Sequence, residues 1–166
     1  MAQDGWLARL LSADAVAPAR LQRLYRETTV PASLPETFAF FADASNLERL
    51  TPPWLRFTIL TAMPLAMGPG VDIDYRIGIY GLPIPWRSRI DVWEPGVRFV
   101  DREVVGPYRW WHHEHRFEQT AGGTLVIDEV HYAPRAGWIS SGLVRRDLAR
   151  IFSYRQKALT EIFRRR

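Results

Sequence analysis

Apolar residues recur with two different periods along this chain, and the period changes mark its elements. Residues 24–30 alternate as a strand that Pro31 ends. Ser33 with Glu36 then makes a capping-box pattern, and a short helix with Phe38, Phe41 and Ala42 on one face is predicted to follow. Ser45 with Glu48 repeats the pattern for a second short helix with Leu47 and Leu50 inward, stopped by Pro52 and Pro53. Beyond it the period is two. Strands are predicted over residues 55–61, 71–80, 86–93, 98–105, 108–119 and 124–132. Gly68-Pro69-Gly70, a break over residues 81–85, Pro95-Gly96, Gly106-Pro107 and Gly122-Gly123 separate them. Short turns between successive strands imply an antiparallel meander. From about Ile139 the period is helical again, with Leu143, Leu148, Ile151, Phe152, Leu159, Ile162 and Phe163 on one stripe. A helix of ~25 residues spans roughly 37 Å, enough to lie across a whole sheet. The order predicts an α+β fold of about seven strands gripping one long C-terminal helix, and a strongly curved sheet around one helix leaves a pocket.

Composition narrows the function. The chain has 166 residues, 47% hydrophobic and 24% charged, which is one globular domain. It has no cysteine, which excludes disulfides, thiolate metal sites and cysteine nucleophiles. No apolar run approaches the ~20 residues of a membrane span. The first residues lack an early basic cluster and carry Asp4, Arg9 and Asp14, so no secretory signal is read and a cytoplasmic location is expected. Residues 1–23 read as an N-terminal extension and 24–166 as the domain. Trp6 to Leu11 is weakly amphipathic, which suits a short packed helix better than a membrane-surface contact, although peripheral membrane contact is the sharper alternative. The net charge is +4, and Arg145, Arg146, Arg150, Arg155, Arg164, Arg165 and Arg166 crowd the C-terminal helix. No nucleic-acid motif accompanies them, so a solvated basic face is expected and no nucleic-acid partner. The oligomeric state is not legible.

Four segments carry a family resemblance: SNLERLTPPWLRF (45–57), RFVDREVVGPYRWWHHEHRFE (98–118), GGTLVIDEVHY (122–132) and IFSYR (151–155). With the order of elements, they make the chain resemble the START-like SRPBCC superfamily, most closely its bacterial coenzyme-Q-binding and polyketide-cyclase-like branch. The resemblance spans residues 24–163, nearly the whole chain. It implies a helix-grip fold and a central cavity for sterols, lipids, quinones or polyketides, which some members cyclise or dehydrate. It carries over no catalytic motif.

Strand parity selects the candidate site. In RWWHHEHRF, Trp111, His113, His115 and Phe117 share one face, and Glu114 and Arg116 suit solvent on the other. Ile73, Tyr75, Ile77, Trp86, Ser88 and Ile90 join the inward set, and Phe152 comes from the helix. Two histidines, a Tyr, a Trp and a Ser are polar for a dry core, and buried polar groups require partners. The spacing of His113 and His115 could chelate zinc, with Glu103 as a possible third donor, but no second motif fixes that ligand, so pocket histidines without metal or cofactor are expected. Phe99 wants burial and would bring Asp101 and Glu103 inward, while Val100, Arg102 and Val104 offer the opposite parity. Arg155 lies near the apolar helix stripe, where a guanidinium is costly without an anion, so it is expected to reach an acid on the sheet, with Asp101 or Glu103 favoured. The loop over residues 133–142, with Gly137 and Gly142, is a candidate gate. No glycine-rich phosphate loop, HExxH or serine nucleophile pattern is present. The reading is an intracellular binding or carrier protein for an apolar small molecule of quinone, lipid or polyketide type. The alternative is a polyketide cyclase or dehydratase without metal, with His113, His115 and Glu103 as candidate acid/base groups. A scaffold role at a membrane is third.

Overall fold

The chain folds as strand, short helices, six strands and long helix, the order that the polarity pattern predicts. The computed structural model describes residues 13, 16–135 and 141–164. The strands are β1 (Gln22–Val30), β2 (Thr58–Ile59), β3 (Asp72–Ile79), β4 (Leu82–Glu94), β5 (Arg98–Val105), β6 (Tyr108–Thr120) and β7 (Gly123–Pro134). The helices are α1 (Leu34–Ala42), α2 (Leu47–Leu50) and α3 (Ser141–Arg164), with 3-10 turns at Ala44–Asn46 and Pro53–Leu55. The strands form one antiparallel sheet in the order β1-β7-β6-β5-β4-β3-β2. The meander runs from β2 to β7, and β1 adds at the β7 edge. No helix among the described residues is long and apolar enough to cross a membrane. The extension segment Trp6 to Leu11 and the gate residue Gly137 lie outside the described residues.

The first capping box forms as predicted: the Glu36 amide donates to Ser33 Oγ, and the Ser33 amide to the Glu36 carboxylate. The second does not. Asp43 takes that role, accepting from the Ser45 amide at 3.0 Å, because the chain enters through a 3-10 turn one step earlier. The strand expected over 55–61 shrinks to Thr58–Ile59, since Pro53–Leu55 is still helical and Arg56 is left-handed. The break expected over 81–85 is only a two-residue turn. Tyr80 and Gly81 both have positive φ, the twist that suits tight hairpins, and β4 starts at once with Leu82 opposite Ile79. Pro83 and Pro85 are tolerated because β5 reaches only as far as Arg87, which leaves that end of β4 a free edge.

A bulge alters the expected parity of β4. Ile90 pairs with Asp101 and Val92 with Val100, so Asp91 is an extra residue. Unbroken alternation from Ser88 and Ile90 would turn Val92 to the core, but beyond the bulge Trp93 does so and packs on Phe38 and Phe99 at 5.2 and 5.3 Å between ring centroids. On α3 the buried stripe is Val144, Leu148, Phe152, Arg155, Leu159 and Phe163, and Leu143 is exposed.

The interior has two apolar cores. One gathers Val30, Phe38, Phe41, Phe99, Phe117, Val126, Leu159 and Phe163. The other gathers Trp86, Trp111, Val130, Tyr132, Val144, Leu148 and Phe152. The β6–β7 turn holds β1 against the first. Gly123 has φ of +128°, and a Cβ there would sit 2.1 Å from the Val30 carbonyl oxygen. Gly123→Ala is therefore expected to cost about 2 kcal/mol or more. Urea denaturation checks this, and an unchanged midpoint would contradict the turn's role.

Candidate functional site

Between the two cores, three strands and α3 each contribute a charged or titratable group to one cluster. β6 supplies His113 between Trp111 and His115, all on its inner face. Register sets Asp101 of β5 opposite His113, and Asp128 of β7 opposite His115. α3 supplies Arg155, one turn from Phe152 and from Leu159. His113, His115, Asp128 and Arg155 are all buried, and Asp101 is nearly so.

The contacts form a closed network. His113 Nε2 and His115 Nδ1 lie 3.0 and 2.9 Å from the same Asp128 oxygen, Oδ1. Arg155 Nε donates to Asp128 Oδ2 at 3.2 Å, and its Nη2 lies 3.4 Å from His115 Nδ1. On the other side of the imidazoles, Asp101 Oδ2 is 3.3 Å from His115 Nε2 and 3.6 Å from His113 Nδ1. Ser88 donates to Asp101 Oδ1 at 3.3 Å. Tyr75 and the Trp86 indole meet Ser88 Oγ at 3.0 and 3.1 Å. The two imidazoles overlap at 3.8 Å between centroids, and Phe99 stacks on His115 at 4.2 Å.

The electrostatics follow from burial and pairing. Burial alone would raise the Asp128 carboxyl. The Arg155 guanidinium and hydrogen bonds from both histidines outweigh that and hold it well below the ordinary range. Asp101 behaves likewise: hydrogen bonding from His115 and the neighbouring imidazoles and guanidinium reverse the effect of burial and keep it lowered. Burial and the adjacent His115 push His113 down to about 4, so its imidazole is neutral near pH 7.

The network forms one wall of a cavity of about 470 Å³ between the sheet and α3. That size is in the range of small-molecule pockets. Of the residues singled out in the sequence, Ile73, Tyr75, Ile77, Trp86, Ser88, Ile90, Asp101, Trp111, His113, His115, Phe152 and Arg155 line it. Phe41 and Tyr108, which strand parity did not single out, line it too. Pro134 and Arg135 of the candidate gate are also at its wall. Around it, α3 is tied across by Tyr80, which donates to Asp147, and by Arg150, which covers the Trp54 ring at 4.2 Å.

Two singled-out residues lie elsewhere. Phe117 belongs to the aromatic core, 5.0 Å from Phe41 and 5.3 Å from Phe38 between centroids. Glu103 shares the inward face of β5 but folds over the β5–β6 turn, where it accepts from the Tyr108 amide at 2.9 Å. Its carboxyl fills the space that a Cβ on Gly106 would need. Arg155 does reach an acid on the sheet, but that acid is Asp128 and not the favoured Asp101 or Glu103. Asp128 was legible as an inward residue, because it alternates with Val126 and Val130, both buried. Nothing local marked it as the partner of a helix 27 residues away.

Among known proteins, the model of the family described as Domain of unknown function (DUF8410) matches residues 82–163. No curated protein sequence matches the chain. Solved structures share the fold at low identity. The Zhui aromatase/cyclase from Streptomyces sp. R1128 superposes with a TM-score of 0.69 at 19% identity, covering 89% of this chain and 96% of that one. A START superfamily protein from Mycobacterium smegmatis gives 0.68 at 11% identity, covering 86% and 97%. The ginseng major latex-like protein 151 from Panax ginseng gives 0.63 at 11% identity, covering 86% and 97%. The architecture that these superpositions share is the START-like helix-grip fold.

Two outcomes test the site's energetics. Arg155→Met strands the Asp128 carboxylate, and removal of one member of a buried ion pair costs about 3–5 kcal/mol. Chemical denaturation should show a loss of that order, with part of it regained in the Arg155→Met/Asp128→Asn double variant. Glu103 is raised well above its ordinary 4.5 by burial, so the folded protein holds a proton that the unfolded chain releases. Its contribution to stability is complete below the unfolded value and falls as pH rises toward the folded one. Glu103→Gln cannot ionise, so its stability relative to wild type should rise in thermal melts as pH increases above the ordinary carboxyl range.

Proposed function

We propose that this chain, built on the START-like helix-grip fold, binds an apolar small molecule that carries an oxygen-bearing polar end. The observation that carries this reading is the segregation of the cavity wall. Ile73, Ile77, Trp86, Trp111 and Phe152 surround the space, while Asp101, His113, His115 and Arg155 gather on one side of it. An apolar body would displace water from the first set, and its carbonyl or hydroxyl would meet the second. Burying ~200 Å² of ligand apolar surface would contribute on the order of 5 kcal/mol before association costs. Arg155 is suited to planar oxygen recognition, and with Nε on Asp128 and Nη2 beside His115 its Nη1 remains for a ligand oxygen. Isoprenoid quinones, lipids and polyketides are the ligand types that fit, with a carrier or sensor role in the cytoplasm.

A second reading has one observation in its favour. The imidazole edges that do not touch Asp128 turn toward Asp101, beside the cavity, where a substrate proton could be exchanged. That is what a cyclase or dehydratase would need, and one structural neighbour is an aromatase/cyclase.

Native mass spectrometry followed by organic extraction tests the binding reading. A co-purifying apolar molecule, or binding from a panel of quinones, sterols and fatty acids, is the expected result. Ile77→Trp fills the cavity from β3 and should weaken that binding at least ~10-fold, since a blocked pocket forfeits the buried area. An empty protein that ignores the panel would overturn the carrier reading, and turnover of a polyketide substrate would favour the second.

A further inference from the structure

We propose that His113 Nδ1, His115 Nε2 and Asp101 Oδ2 form a three-donor site for a divalent transition-metal ion of the zinc or ferrous class, open toward the cavity. One donor atom from each of these three residues lies within 4.8 Å of the others. Asp101 Oδ2 stands 3.3 Å from His115 Nε2 and 3.6 Å from His113 Nδ1. Ligands at about 2.0–2.1 Å in tetrahedral geometry are separated by about 3.3–3.4 Å, so the two carboxylate–imidazole separations already suit one ion, and the two ring nitrogens, within 4.8 Å of each other, have to close by at most about 1.5 Å. Two imidazoles and one carboxylate on one side of an ion leave its remaining positions open, as catalytic sites do.

The outer contacts supply an independent argument. A metal-bound histidine commonly donates its second ring N–H to a carboxylate that fixes its tautomer and orientation. Here one carboxylate serves both rings: Asp128 Oδ1 is 3.0 Å from His113 Nε2 and 2.9 Å from His115 Nδ1, the nitrogens facing away from Asp101. Arg155 holds the other oxygen of Asp128. Ser88 holds the other oxygen of Asp101, which leaves Oδ2 for the ion. In this state His115 carries its proton on Nδ1, and Arg155 Nη2 becomes a neighbour of that nitrogen instead of a donor to it. Charge points the same way. Two carboxylates, Asp101 and Asp128, flank the imidazoles, and within this cluster Arg155 supplies one guanidinium, so a cation is favoured between the imidazoles and Asp101. The site does not depend on the identity of the organic ligand, whose oxygen would take an open position.

The test uses the full chain, stripped with chelator and titrated with Zn²⁺ alone by calorimetry, then with Co²⁺ by visible absorption. One ion per chain is expected. Asp101→Asn should weaken Zn²⁺ binding by about 100-fold or more, and Asp128→Asn by about 10–100-fold. His112 and His131 form a cross-strand pair on the outer face of the sheet and are the obvious adventitious site. The His112→Ala/His131→Ala variant should bind as wild type does. Absence of binding, or its loss in this outer-face variant alone, would overturn the proposal. If Asp101→Asn fails to fold, NMR of the Co²⁺-loaded wild type decides: paramagnetic shifts on the His113 and His115 rings support the site, and unshifted rings overturn it. Ligand retention in metal-free protein is read separately, so failure of the metal site leaves the cavity reading standing.

Discussion

A carboxylate at the centre of this molecule cannot be left alone, and the rest of the architecture answers that constraint. Asp128 is 1% exposed and lies on the strand between Val126 and Val130, both fully enclosed. Removing such a charge from water is tolerable only with an opposite charge and several donors in place. One guanidinium and two imidazoles provide them. The guanidinium comes from α3, so the pair ties the long helix to the sheet in this register. A slip of one turn would carry Arg155 away from Asp128 and drive either Ile151 or Leu159 against the carboxylate. The ion pair thus adds to the apolar packing that seats the helix.

The same cluster divides the interior. Every element that crosses it changes core as it passes. β6 runs from Trp111 in one core to Phe117 in the other, β7 from Val130 to Val126, and α3 from Phe152 to Leu159. The aromatic core built on α1 is filled by edge-to-face rings. The other half is lined by large rings that meet at their edges without closing the space. A belt of hydrogen-bonded polar groups between the two cores places directional chemistry at the inner wall of the cavity, which Phe41, Ile90 and Phe99 of the first core also line. Affinity would come from the walls and orientation from the belt.

Much of this arrangement is legible in the amino-acid sequence. The two periods, the Ser33 capping box, the glycine and proline turns and the inward parity of β6 are local properties, each set by a few neighbouring residues, and they survive folding. Parity places His113, His115, Ser88 and Tyr75 inward, it leaves the face of Asp101 open between two readings of β5, and Arg155 stands out because a charge interrupts an apolar stripe. The misplacements have separate local causes. Asp91 is one extra residue in β4, and it turns Trp93 inward in place of Val92. Glu103 has the right parity, yet it bends over Gly106 because that residue has no side chain to stop it.

The sequence alone thus determined which faces are buried and which residue types share them, because alternation and helical repeat are short-range. Only the tertiary structure decided which charges meet. Asp128, His115 and Arg155 come from three elements, and their contact depends on strand register and on the seating of α3. Both are fixed by packing summed over the two cores. No local pattern in the chain encodes that sum.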